Sequence, residues 1–347
     1  MLSFWSIQNP IAIADPFCSI ALMSGHCHVA IEHASVDIVR KPWGSHDLRP
    51  WSDVRDASEP IGEIWFQRSD TRAEAPALLL KLLFTTERLS IQVHPDDDYA
   101  QSIGLPNGKT EAWYILAAEP GGAIALGLTH ALGAGQLRQA IGDGSIAGMI
   151  AWRDVHPGDA ISVPAGTIHA IGAGLVVAEI QQRSDTTFRM FDYGRGRALQ
   201  VDAAVEVADA GPAVEAGEGR RLGDNRTLLV ANAHFVFERI DLPPQSRWRI
   251  NADREMWLLV LEGHGRFGSL NAFCGQAFFL DEGGADVEVG YVGLSALVAY
   301  AGTIPDPRLL TQLPPPNSAF SFDLADAVNG FAPVSASSPA RLQKVAP

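Results

Sequence analysis

Polar and apolar residues alternate with a period of two along much of this chain. In an extended strand that period sends neighbouring side chains to opposite faces. Within the run Leu89-Ser-Ile-Gln-Val-His94, Leu89, Ile91 and Val93 share one face, and Ser90, Gln92 and His94 share the other. The next such run, Lys109-Thr-Glu-Ala-Trp113, places Lys109, Glu111 and Trp113 together. Further strands are predicted over 36–39, 61–66 and 78–84, with a turn at Lys41-Pro-Trp-Gly44. The spacing becomes helical over 136–150, through Leu137, Ile141 and Ile146, and predicts one or two short helices. Strand and turn signals then return at short intervals to Val207, the rhythm of a sandwich or barrel and not of βαβ units. The predicted fold class is all-β.

The same pattern divides the chain. Residues 1–33 show no sustained period and read as an N-terminal extension, with the folded part expected to start near Met23. Residues 34–204 form a first domain, with the helical insertion near 130–150; 205–226, rich in Ala, Gly and Glu, read as a linker. A second strand block occupies 227–304, with strands predicted over 228–230, 235–240, 248–250, 256–262, 276–280, 287–292 and 297–300. The Pro-, Ser- and Ala-rich tail, 305–347, is expected to be irregular.

Composition narrows the function classes. The chain has 347 residues, 47% apolar and 19% charged, which describes a soluble globular protein able to bury a large core. Its most apolar segment, 77–84, is interrupted by Lys81, so no transmembrane span is expected. The apolar stretch 17–23 lacks a basic lead, since the first positive charge is Arg40; this speaks against an export signal. Cys18, Cys27 and Cys274 are an odd, scattered set that favours reduced thiols and a cytoplasmic setting. A net charge of −14 argues against nucleic acid or an anionic membrane as a partner. An anionic substrate would need basic groups gathered locally, and Lys81, Lys109, Arg183 and Arg189 are candidates. Lys81 alone reads equally well as a snorkelling edge residue or a pocket cation.

Candidate chemistry starts from the polar faces. If the Ser90–His94 and Lys109–Trp113 faces meet, an amide, an imidazole and a carboxylate converge, the makeup of a metal site beside an anion pocket. Downstream, Gly158-Asp159 makes a turn, 161–163 a strand and Pro164-Ala-Gly166 a tight reversal, and His169 follows in the next strand. That hairpin aims His169 inward, toward Gln92, His94 and Glu111. From Glu179 to Arg189 a single strand is predicted whose odd residues share a face, and an apolar lead at 175–178 turns that face inward. Glu179 and Asp185 are then both open as proton carriers, while Arg183 reads as a surface charge. His26-x-His28-x3-Glu32 has ligand spacing, but no clear strand carries it and it reads as a loose polar segment. His130, His156, His234 and His264 sit in turn-like stretches and read as bystanders.

Gly158-x5-Pro164-x-Gly166-x2-His169 is similar to the second signature of cupin barrels. Together with Ser90-Ile-Gln-Val-His-Pro95, Gly108-Lys-Thr-Glu-Ala-Trp113, the Glu179–Arg189 run, Trp43-Gly44 and Gly62-Glu63-x-Trp65, it resembles the type I phosphomannose isomerase family over about 36–200. The resemblance implies two cupin-like (jelly-roll) barrels with a small helical insertion. It also implies one Zn²⁺ per chain, held by Gln92, His94, Glu111 and His169, and interconversion of mannose 6-phosphate and fructose 6-phosphate through an enediol. Ser90, Lys109, Arg189 and Lys81 match family residues around the substrate, a small sugar phosphate; Glu179 and Asp185 match proposed proton carriers. Only 57 residues separate Glu111 from His169, so the large helical insertion of longer members must be reduced, as in the short bacterial form. Gly275-x5-Asp281-x-Gly283-x2-Asp286 keeps the glycine spacing of the first barrel without its histidine, so a second, degenerate cupin repeat is expected to serve in packing. A cupin metal oxygenase and a non-catalytic sugar-phosphate-binding cupin are the alternatives. Gln92 speaks against the first, and the carboxylates of the Glu179–Arg189 face speak against the second.

Overall fold

The computed structural model describes residues 31–214, 219–281 and 283–314. The suggested start near Met23, the His26/His28 pair, Cys18, Cys27 and the stretch 315–347 lie outside the described residues. The chain is mostly β, arranged in three sheets whose strands pair antiparallel.

A six-stranded sheet carries, in spatial order, Ser35–Ser45, Ile61–Gln67, Leu78–Thr85, Leu175–Gln182, Glu111–Ala118 and Ala160–Val163. A five-stranded sheet carries Phe188–Phe191, Ile91–Val93, His169–Ile171, Ala123–Leu128 and Ile150–Asp154. Period-two alternation explains how the six-stranded sheet serves two cores. Leu78, Leu80, Leu82, Phe84, Tyr114, Ala178 and Ile180 pack on one face, against Phe235, Phe237, Trp257, Leu259 and Phe279 of the C-terminal region. The opposite face contributes Leu83, Trp113, Ile115 and Val177, packed with Ile124 and Ile171 of the five-stranded sheet. Buried on both sides, the Leu78–Thr85 strand reads as an almost unbroken apolar run, with Lys81 as its one charge.

The helical insertion appears as Ala134–Asp143 and the 3-10 turn Ser145–Gly148, with Leu137, Ile141 and Ile146 buried as the spacing predicts. The helix Val201–Val207 joins them behind the five-stranded sheet, where Ile91, Val93 and Met190 complete that core. The third sheet has ten strands and gathers the C-terminal block around its own apolar cluster.

Several predicted elements need correction. The turn expected at Lys41-Pro-Trp-Gly44 lies inside one long strand, Ser35–Ser45, which shifts register against Ile61. Gly44 passes so near its neighbour that a Cβ there would stand 2.3 Å from the Ile61 carbonyl carbon. The segments 287–292 and 297–300 are one strand, Ala285–Ala301, kinked by register shifts against Met256–Phe267. Three short strands lie in stretches read as extension, linker and tail; the first and last find partners far away in sequence, and the middle one forms a local hairpin with little apolar alternation to announce it. Ile31–His33 pairs with Ala277–Leu280, Arg220–Gly223 pairs with Arg226–Ala231, and Leu310–Leu313 pairs with Arg247–Ile250.

The expected single strand from Glu179 to Arg189 is two strands belonging to different sheets. Leu175–Gln182 ends in the six-stranded sheet, 183–187 bridge the gap, and Phe188–Phe191 starts in the five-stranded sheet. Arg183 sits at the crossing and is not a surface charge. Its guanidinium donates to Pro76 O at 2.6 Å, Gln67 Oε1 at 3.0 Å and Leu78 O at 3.2 Å, and burial lowers its pKa.

Candidate metal centre

Register places the polar side chains. Across the six-stranded sheet, Trp65 lies opposite Lys81, Lys81 opposite Glu179, and Glu179 opposite Trp113. One step along, Gln181 pairs with Glu111, and Glu111 with Val163. On the facing five-stranded sheet, His169 lies opposite Gln92 and Gln92 opposite Arg189. The two rows face one another across the inner core.

His94, Glu111 and His169 come together there, and their ligating atoms all lie within 4.8 Å of one another. The His94 Nε2 to Glu111 Oε2 distance is 3.4 Å, and the His169 Nε2 to Glu111 Oε1 distance is 3.5 Å. Each of the three residues is 1% exposed, so none is satisfied by bulk water. The outer ring nitrogens are tied to the backbone: His94 Nδ1–H donates to Thr186 O and His169 Nδ1–H to Thr167 O, both at 2.8 Å. These bonds leave each Nε2 lone pair directed inward, as metal-binding histidines require.

The tight reversal before His169 depends on Gly166, whose φ of +86° is disfavoured for other residues. The Gly166 N–H donates to His94 O at 2.9 Å, so the loops bearing the two histidines brace each other.

Electrostatics support a cation at this point. Burial pushes His94 down to about 3, with Lys109 adding to the effect, and burial also lowers His169; both imidazoles are neutral. Burial alone would raise Glu111, but the Lys109 ammonium holds it well below the usual carboxylate range. The Lys109 ammonium lies against Glu111 Oε2 and donates to His94 Nε2 at 2.9 Å. It is a positive charge seated between two of the three donors, so the nest as built attracts a cation. Two neutral imidazoles and one ionised carboxylate, with the second imidazole nitrogens satisfied, fit a divalent metal ion.

Gln92 stands beside this trio with a difference from expectation. Its amide nitrogen donates to His169 Nε2 at 3.2 Å, and its oxygen accepts from Ser90 Oγ at 3.1 Å. Bringing the oxygen to the donors takes a half-turn of the amide.

A cavity of about 200 Å³ adjoins the trio, and Ser90, Gln92, Lys81, Lys109, Glu179, Asp185 and Arg189 all line it. Lys81 is 4% exposed, 3.3 Å from Glu179 Oε1 and 4.4 Å from the Trp65 ring centroid, so it is a pocket cation and not a snorkelling one. Glu179 Oε2 accepts from Trp113 Nε1 at 3.2 Å. Burial, reinforced by the charge of Glu111, raises the Glu179 pKa despite both lysines. Asp185 is on the exposed rim. Arg189 donates from Nη1 to Ala198 O at 3.1 Å, and its buried Nε has no hydrogen-bond partner among the described residues.

Lys41, Glu63 and Arg197 also line the cavity, in places the sequence reading did not assign. Glu63 and Trp65 belong to the Gly62-Glu63-x-Trp65 motif; Trp65 Nε1 donates to Glu63 at 2.5 Å, and Lys41 Nζ is 3.2 Å from it. Burial would raise Glu63, yet Lys81 and Lys41 hold it below the usual range. Arg197 follows a glycine-rich loop without period, and it donates from Nε to Asp192 at 2.7 Å; no sequence spacing could have found it.

No family model matches the chain. It is 33% identical over 226 residues to a mannose-6-phosphate isomerase of Streptococcus mutans, an alignment covering 60% of this chain and 69% of that one. It is 43% identical over 204 residues to a probable mannose-6-phosphate isomerase of Bacillus subtilis, covering 54% of this chain and 62% of the relative. Its fold matches the crystal structure of a Bacillus subtilis mannose 6-phosphate isomerase with a TM-score of 0.68 at 26% identity, over 78% of this chain and 99% of the other. Shared sequence over more than two thirds of one relative, and shared architecture over nearly all of a solved one, make this chain a member of the mannose-6-phosphate isomerase family.

Proposed function

We propose that this protein is a zinc-dependent, cytoplasmic isomerase that interconverts mannose 6-phosphate and fructose 6-phosphate through an enediol. The carrying observation is the convergence of His94, Glu111 and His169 within 4.8 Å beside a cavity lined by both carboxylates and cations. In this reading the five- and six-stranded sheets form one cupin-like barrel within residues 34–204. The ten-stranded sheet, mainly 227–304, curls into a second barrel that has no donor trio among its described residues.

His94, Glu111 and His169 would hold the ion, with Gln92 as a fourth ligand once its amide turns. A bound zinc ion would supply Lewis-acid stabilisation of the oxygen charge that develops in the enediol. The chain's own residues account for the rest. Moving a proton between adjacent carbons needs a group that accepts it at one and returns it at the other. Glu179 suits this work: it is buried on the cavity wall, has a raised pKa, and is oriented by Lys81 and Trp113. Lys109 lies at the metal end, where its ammonium faces the reacting oxygens. Arg189, with a free buried Nε, and the neighbouring Arg197 anchor the phosphate at the other end, and Ser90 lines the wall between. Asp185 stands at the exposed rim of the cavity and serves the entrance.

Turnover of mannose 6-phosphate by the purified protein is the direct test. Activity should be lost on chelation and restored by zinc at one ion per chain. Iron with oxygen uptake would favour the oxygenase reading, and sugar-phosphate binding without turnover would favour the binding module.

A further inference from the structure

The Lys109–Glu111 segment carries two groups of the site, yet it begins in a loop. What fixes it is a pair of side chains outside the cavity, Gln182 and Asp97. Gln182, at the end of the Leu175–Gln182 strand and 7% exposed, grips both sides of the Thr110 peptide. Its backbone N–H donates to Thr110 O at 3.1 Å, and its side-chain Oε1 accepts from Thr110 N–H at 2.9 Å. The remaining end of that amide, Nε2, donates to Asp97 Oδ1 at 2.8 Å. The same Asp97 oxygen accepts from Gly108 N–H, also at 2.8 Å. Gly108 runs so close to the preceding loop that a Cβ would meet the Asp96 carbonyl carbon at 2.4 Å. Thr110 Oγ1 in turn accepts from Ala165 N–H at 3.2 Å, on the reversal that leads to His169.

Successive residues of an extended segment point to opposite sides, so holding the Thr110 peptide in place sets the aim of Lys109 and Glu111 on the other side. A buried glutamine whose backbone N–H, side-chain oxygen and side-chain nitrogen are each matched is a fixed ruler, because any shift leaves a donor or acceptor unpaired. Asp97 also lies 3.9 Å from His234 Nδ1 of the C-terminal region, so the clamp is tied to the second half of the chain.

We infer that Gln182 and Asp97 are positioning residues for the isomerase reaction, holding Glu111 to the metal and Lys109 to the substrate without touching either. This rests on the metal-site reading above, and its test has a readout that needs no sugar. Zinc affinity is measured by competition with a chromogenic chelator, alongside kcat and KM, for the parent protein and four variants. Gln182→Ala is expected to weaken zinc affinity and lower kcat by about tenfold to a hundredfold each, with KM moving less than about threefold. Gln182→Glu retains the acceptor for Thr110 but sets a second carboxylate against Asp97, and should lose as much. Adding Asp97→Asn to Gln182→Glu removes the repulsion between the two carboxylates, but its amide can serve only one of Gly108 N–H and the new carboxylate at that position, so it should recover part of the loss. Asp97→Ala, on a partly exposed side chain, gives the same readout if Gln182→Ala does not fold. Zinc affinity and kcat within about twofold of the parent in folded Gln182→Ala or Asp97→Ala would overturn the inference, as would a Gln182→Glu defect that Asp97→Asn does not relieve. A parent that takes up no zinc would contradict the metal reading itself, whereas a zinc-binding parent with unaffected variants would contradict the clamp alone.

Discussion

His169→Ala is expected to lose bound zinc and isomerase activity together. The imidazole is one of three donors in a nest closed to water, and its Nδ1 is already committed to the Thr167 carbonyl. Nothing nearby can replace it. Gln92, its partner across the ladder, is the adjoining polar group, and the Trp113 ring, its centroid 5.5 Å from that of the imidazole, offers no lone pair. Removing the ring also leaves Glu111 with one imidazole and the Lys109 ammonium, an arrangement that favours the lysine over a metal ion. Charge stabilisation of about 4 kcal/mol by a bound metal corresponds to about 10³-fold in rate, so turnover should fall by at least that factor. Metal analysis of the purified variant and an assay on mannose 6-phosphate check both halves. Full zinc content with lost activity would mean that His169 acts on the substrate instead.

Glu179→Gln is expected to keep zinc and lose turnover by about 10²–10⁴-fold, the range for removing a general acid–base group. The amide preserves shape and keeps one oxygen to accept from Lys81 or Trp113, but cannot take up a proton. The sign of the pH dependence follows from its environment. Burial is the leading cause of the raised pKa and Glu111 the next, so the ionised, proton-accepting form is present only above a pKa higher than that of an ordinary carboxylate. The kcat/KM profile should therefore fall as pH drops through a limb above the usual carboxylate range, and that limb should vanish from the residual activity of Glu179→Gln. Asp185→Asn, on the exposed rim, should leave the limb in place. A limb that survives in Glu179→Gln and disappears in Asp185→Asn would reverse the two roles.

Much of the site was legible because it is written in short-range alternation. Ser90, Gln92 and His94 share a face, as do Lys109, Glu111 and Trp113, and period two is enough to say so. The glycine of the Pro164–Gly166 reversal likewise announced the hairpin that turns His169 inward, since a left-handed backbone is needed there. What failed was whatever depends on distant partners. The charged run from Glu179 to Arg189 alternates as one strand would, yet Arg183 binds Pro76, Gln67 and Leu78, and the chain leaves one sheet for the other at that point. Arg183 therefore looked like a solvated charge when it is a half-buried crossing point. Lys41 and Arg197 reach the cavity from a long kinked strand and an aperiodic loop, and Gln182 and Asp97 meet only through a register set by the whole sheet. The alternation also says which face a residue takes, but not which end of an amide points inward, so the orientation of Gln92 emerged only from its contacts with Ser90 and His169.

X-ray diffraction from crystals of the active, zinc-loaded protein, recorded on both sides of the zinc absorption edge, bears most directly on these assignments. One anomalous peak per chain is expected, within bonding distance of His94 Nε2, His169 Nε2 and a Glu111 carboxylate oxygen. A peak elsewhere in the chain, or none in crystals whose dissolved protein still turns over mannose 6-phosphate, would contradict the account.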